Sequence, residues 1–319
     1  MHRILVIRSG ALGDFILTLP AIRALREAAP EAHIELAGRP ATLEIAHRRY
    51  YADAVVSIDR ADFAPLFAPE GEPSSEIVAY LTGFDPILSY LPDRDGLFAM
   101  NLKCLGVRRL LSCDPVPPPD ETRHIADRLA APVERLGAPV RDPVPRLFPG
   151  EQDRRDADAF LHAHSVSDAF FVLHPGSGGT RKCWPPDRFA RVADNIARQT
   201  GARIILSAGP ADDQTIAQTV SVTKTSPVVA HDLPLPVLAA LLSRCRACLG
   251  NDSGVTHLAA ASGAPVVALF GPTDPRVWGP RGDRVRIIQG SPDLPPDRRL
   301  ESIPTETVVH TLLEAGVWR

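Results

Sequence analysis

"RACLGNDSGVTHLAAASGAPVVALFGP", residues 246–272, contains a whole supersecondary unit. An apolar run ends at Gly250, turn-formers and a carboxylate follow, an Ala-rich helical stretch opens near Ser253, and a β-branched run begins at Pro265. Strand, turn, helix and strand in that order make a parallel, right-handed crossover. The same alternation extends both ways. Upstream lie "AFFVLHPGSGG" (169–179), a helix in "PPDRFARVADNIARQ" (185–199), "RIILSAGP" (203–210), a helix in "DDQTIAQTV" (212–220), "PVVA" (227–230) and a helix in "LPVLAALLSRC" (235–245). Downstream is "RVRIIQ" (284–289), then a last helix around Thr305 to Ala315, expected on this unit or packed back on the first. Strands alternating with single helices imply a doubly wound parallel sheet.

A second such unit occupies the first part of the chain. "RILVI" (3–7) is the continuous apolar run of a buried parallel strand, "RSGALGD" (8–14) is a loop, and "FILTLPAIRALREAAP" (15–30) has helical spacing at Ile16, Leu19, Ile22 and Leu25. "HIELAG" (33–38), "AVVSID" (54–59), "ILSYL" (87–91) and "RRLLSC" (108–113) read as further strands. The Pro- and acid-rich "FAPLFAPEGEPSSE" (63–76) reads as a loop, and "DETRHIADRLAAPVERLG" (120–137) as an amphipathic helix with Ile125, Leu129, Val133 and Leu136 on one stripe. In "APVRDPVPRLFPGEQDRRD" (138–156) prolines recur and no apolar period survives, as in a stiff linker. The expected class is α/β, with two Rossmann-like units, residues 1–148 and 149–319, facing a central cleft at the carboxyl ends of their sheets.

Composition narrows the function classes. A chain of 319 residues with 45% hydrophobic content suits two cores rather than one. Lys+Arg 35 against Asp+Glu 38, net -3, provides no global field for nucleic acid. The five cysteines are odd in number and scattered, which suggests reduced thiols in a cytoplasmic protein. The lone CxxC at Cys245 and Cys248 has no second pair and reads as a buried helix end rather than a zinc site. The apolar run in "MHRILVIRSG" is too short for a signal peptide, and no stretch of about twenty apolar residues suggests a transmembrane span.

Polar clusters follow the strands: "HPGSGGTRK" (174–182), "SAGPADD" (207–213), "GNDSG" (250–254) and "FGPTDP" (270–275). Open α/β sheets bind ligands at such ends. A helix opening at Ser253 presents free N–H groups and about half a positive charge, which suits a phosphate. Asp252 would repel that phosphate, so it either accepts sugar hydroxyls or caps the helix; Lys182 is either a phosphate partner or a solvated cation. In "SGALGD" the glycines Gly10 and Gly13 are spaced GxxG, not GxGxxG, which weakens a dinucleotide reading. Asp14, at the helix start, is equally a cap or a general base. "DRD" (93–95) imitates a metal-binding DxD but reads as a solvated turn, and His174 as a packed or hydrogen-bonded core residue.

"ILVIRSGALGDFILTLPAIRAL" (4–25), "HPGSGGTRKCWPPDRFA" (174–190) and "GNDSGVTHLAAASGAPVVALFGPTDP" (250–275), in this order, resemble glycosyltransferase family 9, the ADP-heptose:lipopolysaccharide heptosyltransferases. The strongest element is D-[ST]-G-x-x-H-L-x-A-A followed by F-G-P-T-D-P. The resemblance implies a GT-B fold with the acceptor on the first unit and the nucleotide-sugar on the second. It implies inverting transfer from an ADP-sugar, most simply ADP-heptose, to a lipopolysaccharide-type glycolipid, with no metal or other cofactor, at the inner face of the inner membrane. Asp14 matches the catalytic base, and Lys182 the lysine on the donor diphosphate. Ser177, aligned across a one-residue gap, falls near the phosphate hydroxyls, and Asp252, Ser253, Gly254 and His257 match the donor motif. Leu233 takes the place of an apolar residue under adenine, and Asp212 stands where a Glu binds ribose, with a shorter arm. Arg8, Arg39, Lys103 and His124 are candidates for an acidic acceptor. Two other readings compete with this: a binding module without catalysis, disfavoured by retention of Asp14 and Lys182, and a nicotinamide-dependent oxidoreductase, disfavoured by the missing GxGxxG.

Overall fold

The computed structural model describes residues 2–167 and 169–317. The chain forms two compact units, Met1–Pro143 and Val144–Arg319. In the first, β1 (Arg3–Ile7), β2 (His33–Gly38), β3 (Ala54–Ser57), β4 (Ile87–Ser89) and β5 (Leu110–Ser112) form a sheet of order β3-β2-β1-β4-β5. In the second, β6 (Phe170–His174), β7 (Arg203–Ala208), β8 (Val228–His231), β9 (Cys248–Asn251), β10 (Val266–Phe270) and β11 (Val285–Gln289) form the order β11-β10-β9-β6-β7-β8. Every pairing is parallel.

Both sheets run outward from their first strand to one side, then cross to the other. That reversal makes a crevice beside the first strand, between β1 and β4 in one unit and between β6 and β9 in the other. The strands there are covered on both faces, which is why "FFVLH" and "VVALF" are unbroken apolar runs. Leu5, Ile7, Phe63, Phe84 and Leu102 lie in one core; Phe171, Leu173, Trp184, Phe189 and Leu312 lie in the other. The last helix, Thr305–Gly316, packs on the helix Pro186–Thr200 and on β10, within the second unit.

Three local features differ from the sequence reading. Residues 15–30 do not form one helix: Leu12–Ile16 ends and Leu19–Ala28 begins again. Pro20 has no N–H for the carbonyl four residues back and its ring crowds that carbonyl, so the helix must restart. Within the expected loop 63–76, Ala61–Phe67 forms a 3-10 helix that buries Phe63 and Leu66. The second half of the Pro-rich 138–156 stretch opens the helix Glu151–Ala163, where the Asp153 carboxylate accepts the Gly150 N–H at 2.7 Å and Ala157 and Leu161 are buried.

Candidate active site

In the second unit the crevice is built around Asn251, the last residue of β9. Its side chain is fully buried; the amide donates to the Pro175 carbonyl at 2.8 Å and its oxygen accepts the Trp184 N–H at 3.0 Å. One residue thus ties the turn after β6 to the turn after β9. Gly250 is required beside it, because a Cβ there would collide with the Thr256 hydroxyl, which donates to the Asn251 carbonyl.

Asp252 follows, and three turns converge on it. The Ser177 hydroxyl donates to its carbonyl at 2.7 Å, Lys182 Nζ reaches its Oδ2 at 2.7 Å, and the Thr273 hydroxyl donates to the same Oδ2. Asp252 does not cap the next helix. Ser253 does, accepting the Thr256 N–H at 3.3 Å, so Gly254–Ala261 begins at the crevice with its positive end there. Gly254 opens this helix and His257, buried, lies one turn in. Lys182 is more than a third exposed, whereas Asp252 is almost wholly covered, so the cation is the partner open to solvent.

Asp212 stands in the turn after β7, at the start of the helix Asp213–Val222. It is buried, Oδ2 accepts the Gly209 N–H at 2.8 Å, and its carboxylate packs so closely on Gly176 that no side chain fits there. His174 lies within the fold beside it, Nδ1 on the Ser207 carbonyl at 3.0 Å, and burial lowers its pKa. Leu233, half-buried, stands in the turn between β8 and the helix Leu235–Leu242.

In the first unit Asp14 is both a cap and an accessible carboxylate. Oδ2 accepts the Ala11 N–H at 2.9 Å, which fixes the side chain, yet it keeps 32% exposure. Gly10, at φ +117°, has no Cβ to crowd that carboxylate. Arg8 lies beneath, 5% exposed, 3.8 Å from Asp14 Oδ1, with Nε on the Thr18 hydroxyl at 3.2 Å and Nη1 on the Tyr90 carbonyl at 3.3 Å. Burial lowers its pKa and the Asp14 charge opposes that. Arg8 therefore supports Asp14 from inside and offers no surface cation. Arg39 is exposed at the end of β2. Lys103 is not with it: it is in the last turn of the helix Leu97–Cys104, which returns the chain to the start of β5, the opposite edge of the sheet. His124 is buried and caps Ile125–Glu134, its Nδ1 accepting the Ala126 N–H at 3.2 Å.

Asp93 of the "DRD" stretch caps a helix, accepting from Phe98 and Ala99 N–H groups, and Cys245 and Cys248 are buried and form no disulfide. Among the described residues no group of three or more His, Cys, Asp or Glu side chains gathers as a metal site. Sequence reasoning assigned nothing to Asn251 or Thr273. An Asn closing an apolar strand run was the available signal for the first; for the second, only the fold shows that residue 273 returns to residue 252.

A model of "Glycosyltransferase family 9 (heptosyltransferase)" matches residues 108–304. Lipopolysaccharide heptosyltransferase 3 of Escherichia coli K12 is 26% identical over 323 residues, covering 93% of both chains. Among solved structures, a family 9 glycosyl transferase from Veillonella parvula superposes with TM-score 0.83 at 25% identity, covering 100% of this chain and 98% of that one. The E. coli ADP-heptose lps heptosyltransferase II superposes with TM-score 0.79 at 17% identity over 99% of both, a likeness of fold. The two Rossmann-like units are thus those of the GT-B class. With the family model spanning well over half its length, the chain belongs to glycosyltransferase family 9.

Proposed function

We propose that the protein transfers L-glycero-D-manno-heptose from ADP-heptose to a hydroxyl of a lipopolysaccharide core, with inversion and without a metal. The observation that carries this reading is the convergence of Ser177, Lys182 and Thr273 on Asp252 beside a helix N-terminus, a cluster with an exposed cation and a buried carboxylate. A sugar diphosphate needs both: cation and amide N–H groups for the phosphates, a carboxylate for the hydroxyls. The acceptor oxygen bonds to the anomeric carbon as the bond from that carbon to the diphosphate oxygen breaks. Asp14 takes the hydroxyl proton, and Lys182 offsets the charge that accumulates on ADP. Leu233 lies against adenine, and Arg39 provides a positive surface for an acidic acceptor. A heptosyltransferase with such an acceptor works at the cytoplasmic face of the inner membrane as a peripheral protein; among the described residues no helix is long and apolar enough to cross a bilayer.

The test is a thermal-shift panel of ADP-, UDP-, GDP- and dTDP-sugars with parent protein and Lys182→Ala, because a ligand that binds only the folded state raises its melting point. ADP-heptose should shift the parent most and Lys182→Ala much less. Equal shifts in the two proteins would remove Lys182 from the site, and preference for another nucleotide would replace the donor.

A further inference from the structure

Thr273 lies in the turn after β10, "GPTD", residues 271–274. Its hydroxyl donates to Asp252 Oδ2, the oxygen that also holds Lys182 Nζ at 2.7 Å. Both donors sit on one carboxylate oxygen, Oδ2. The two donors differ in what a ligand does to them. A diphosphate draws the exposed Lys182 ammonium toward its own charge and away from Asp252. Thr273 is neutral, so the same ligand gives it no reason to leave.

Once Lys182 turns, Thr273 is the remaining side-chain anchor of the carboxylate. An aspartate torsion about Cβ–Cγ is broad when nothing fixes it, so an unanchored Asp252 would present either oxygen in many orientations. We propose that Thr273 is a positioning residue for the donor sugar: its hydroxyl holds Asp252 with Oδ1 presented to the sugar hydroxyls while Lys182 engages the diphosphate. This rests on the reading of the site as one for a nucleotide-sugar. It adds that sugar recognition and phosphate recognition, joined in the free protein through one oxygen, separate on binding.

The experiment compares ADP-heptose and ADP binding by calorimetry in the parent, Thr273→Val, Thr273→Ala and Thr273→Ser. Val removes the hydroxyl at nearly constant shape, Ala does so with less bulk if Val does not fold, and Ser restores it. A hydrogen bond to an ionised group carries roughly a tenfold or greater effect on affinity. Val and Ala should therefore bind ADP-heptose about tenfold more weakly or worse, bind ADP as the parent does, and be rescued by Ser. A general disturbance of the turn would weaken ADP and ADP-heptose alike; that result, unchanged affinity for both, or a Ser variant as poor as Val overturns the proposal. A parent that binds no ADP-heptose overturns the nucleotide-sugar reading itself, a failure separable from one confined to Thr273.

Discussion

A single carboxylate, Asp14, shows how a residue can be both a structural cap and a candidate base. Its Oδ2 is fixed by the Ala11 N–H, Arg8 lies 3.8 Å from Oδ1, and a third of the side chain still meets solvent. Asp14→Asn keeps the shape and a cap acceptor but cannot take a proton. Turnover should fall about a hundredfold or more, the scale of a lost general base, with donor affinity retained; steady-state kinetics with calorimetry checks both, and parent-like turnover would remove Asp14 from the mechanism. His174 supplies a different test. Burial lowers its pKa below the ordinary 6.5, so the folded state prefers the neutral ring. As pH falls through 6.5 the unfolded chain takes up a proton that the folded chain refuses, and stability drops until the lowered pKa is passed. His231 acts in the opposite sense, its pKa raised by the Asp213 hydrogen bond: its contribution is present at low pH and lost as pH rises through the raised value. Urea titrations from pH 7 to about 5 should show a smaller loss of stability in His174→Asn than in the parent; the same slope in both would assign the effect elsewhere.

Among the elements, strands were the most legible in the sequence. The runs "RILVI" and "HIELAG" hold their places to the residue because both faces of a parallel sheet are covered and composition alone marks them. Helix interruptions were less legible. Ile16, Leu19, Ile22 and Leu25 keep helical spacing straight across a break, since periodicity records which face is buried and not whether the backbone is continuous. The Pro-rich stretch hid Glu151–Ala163, a polar helix with only Asp153, Ala157 and Leu161 buried. The resemblance put Asp252 and Lys182 at the donor, and the fold brings them within 2.7 Å of each other. It could not show that the aspartate at 212 lies beneath Gly176, or that Lys103 ends a helix at the far edge of its sheet, because both follow from chain direction. Gly250 carries the element-scale prediction. In Gly250→Ala the new methyl meets the Thr256 hydroxyl, and the forced shift should cost about 1–3 kcal/mol. The melting temperature should fall by several degrees, and Thr256→Ser in the same chain should leave the loss in place, because the hydroxyl is the obstacle.

At the scale of the molecule, each unit has its own sheet and its own core, and every residue assigned to the nucleotide lies in Val144–Arg319. That unit expressed alone should fold and bind ADP with the affinity of the full chain while transferring no sugar, as Asp14 is missing. Calorimetry on the fragment checks this, and a folded fragment without ADP affinity would show that the first unit contributes to the nucleotide. The ion pair of Lys182 with Asp252 has a further effect at this scale. A cation already matched by a carboxylate projects little field into solvent, and the chain as a whole carries net -3. Capture of a polyanion is then governed by fit at short range rather than by long-range attraction. Stopped-flow association of ADP should accordingly be almost indifferent to added salt, and crowding anions such as inorganic phosphate should find no beacon in the resting protein.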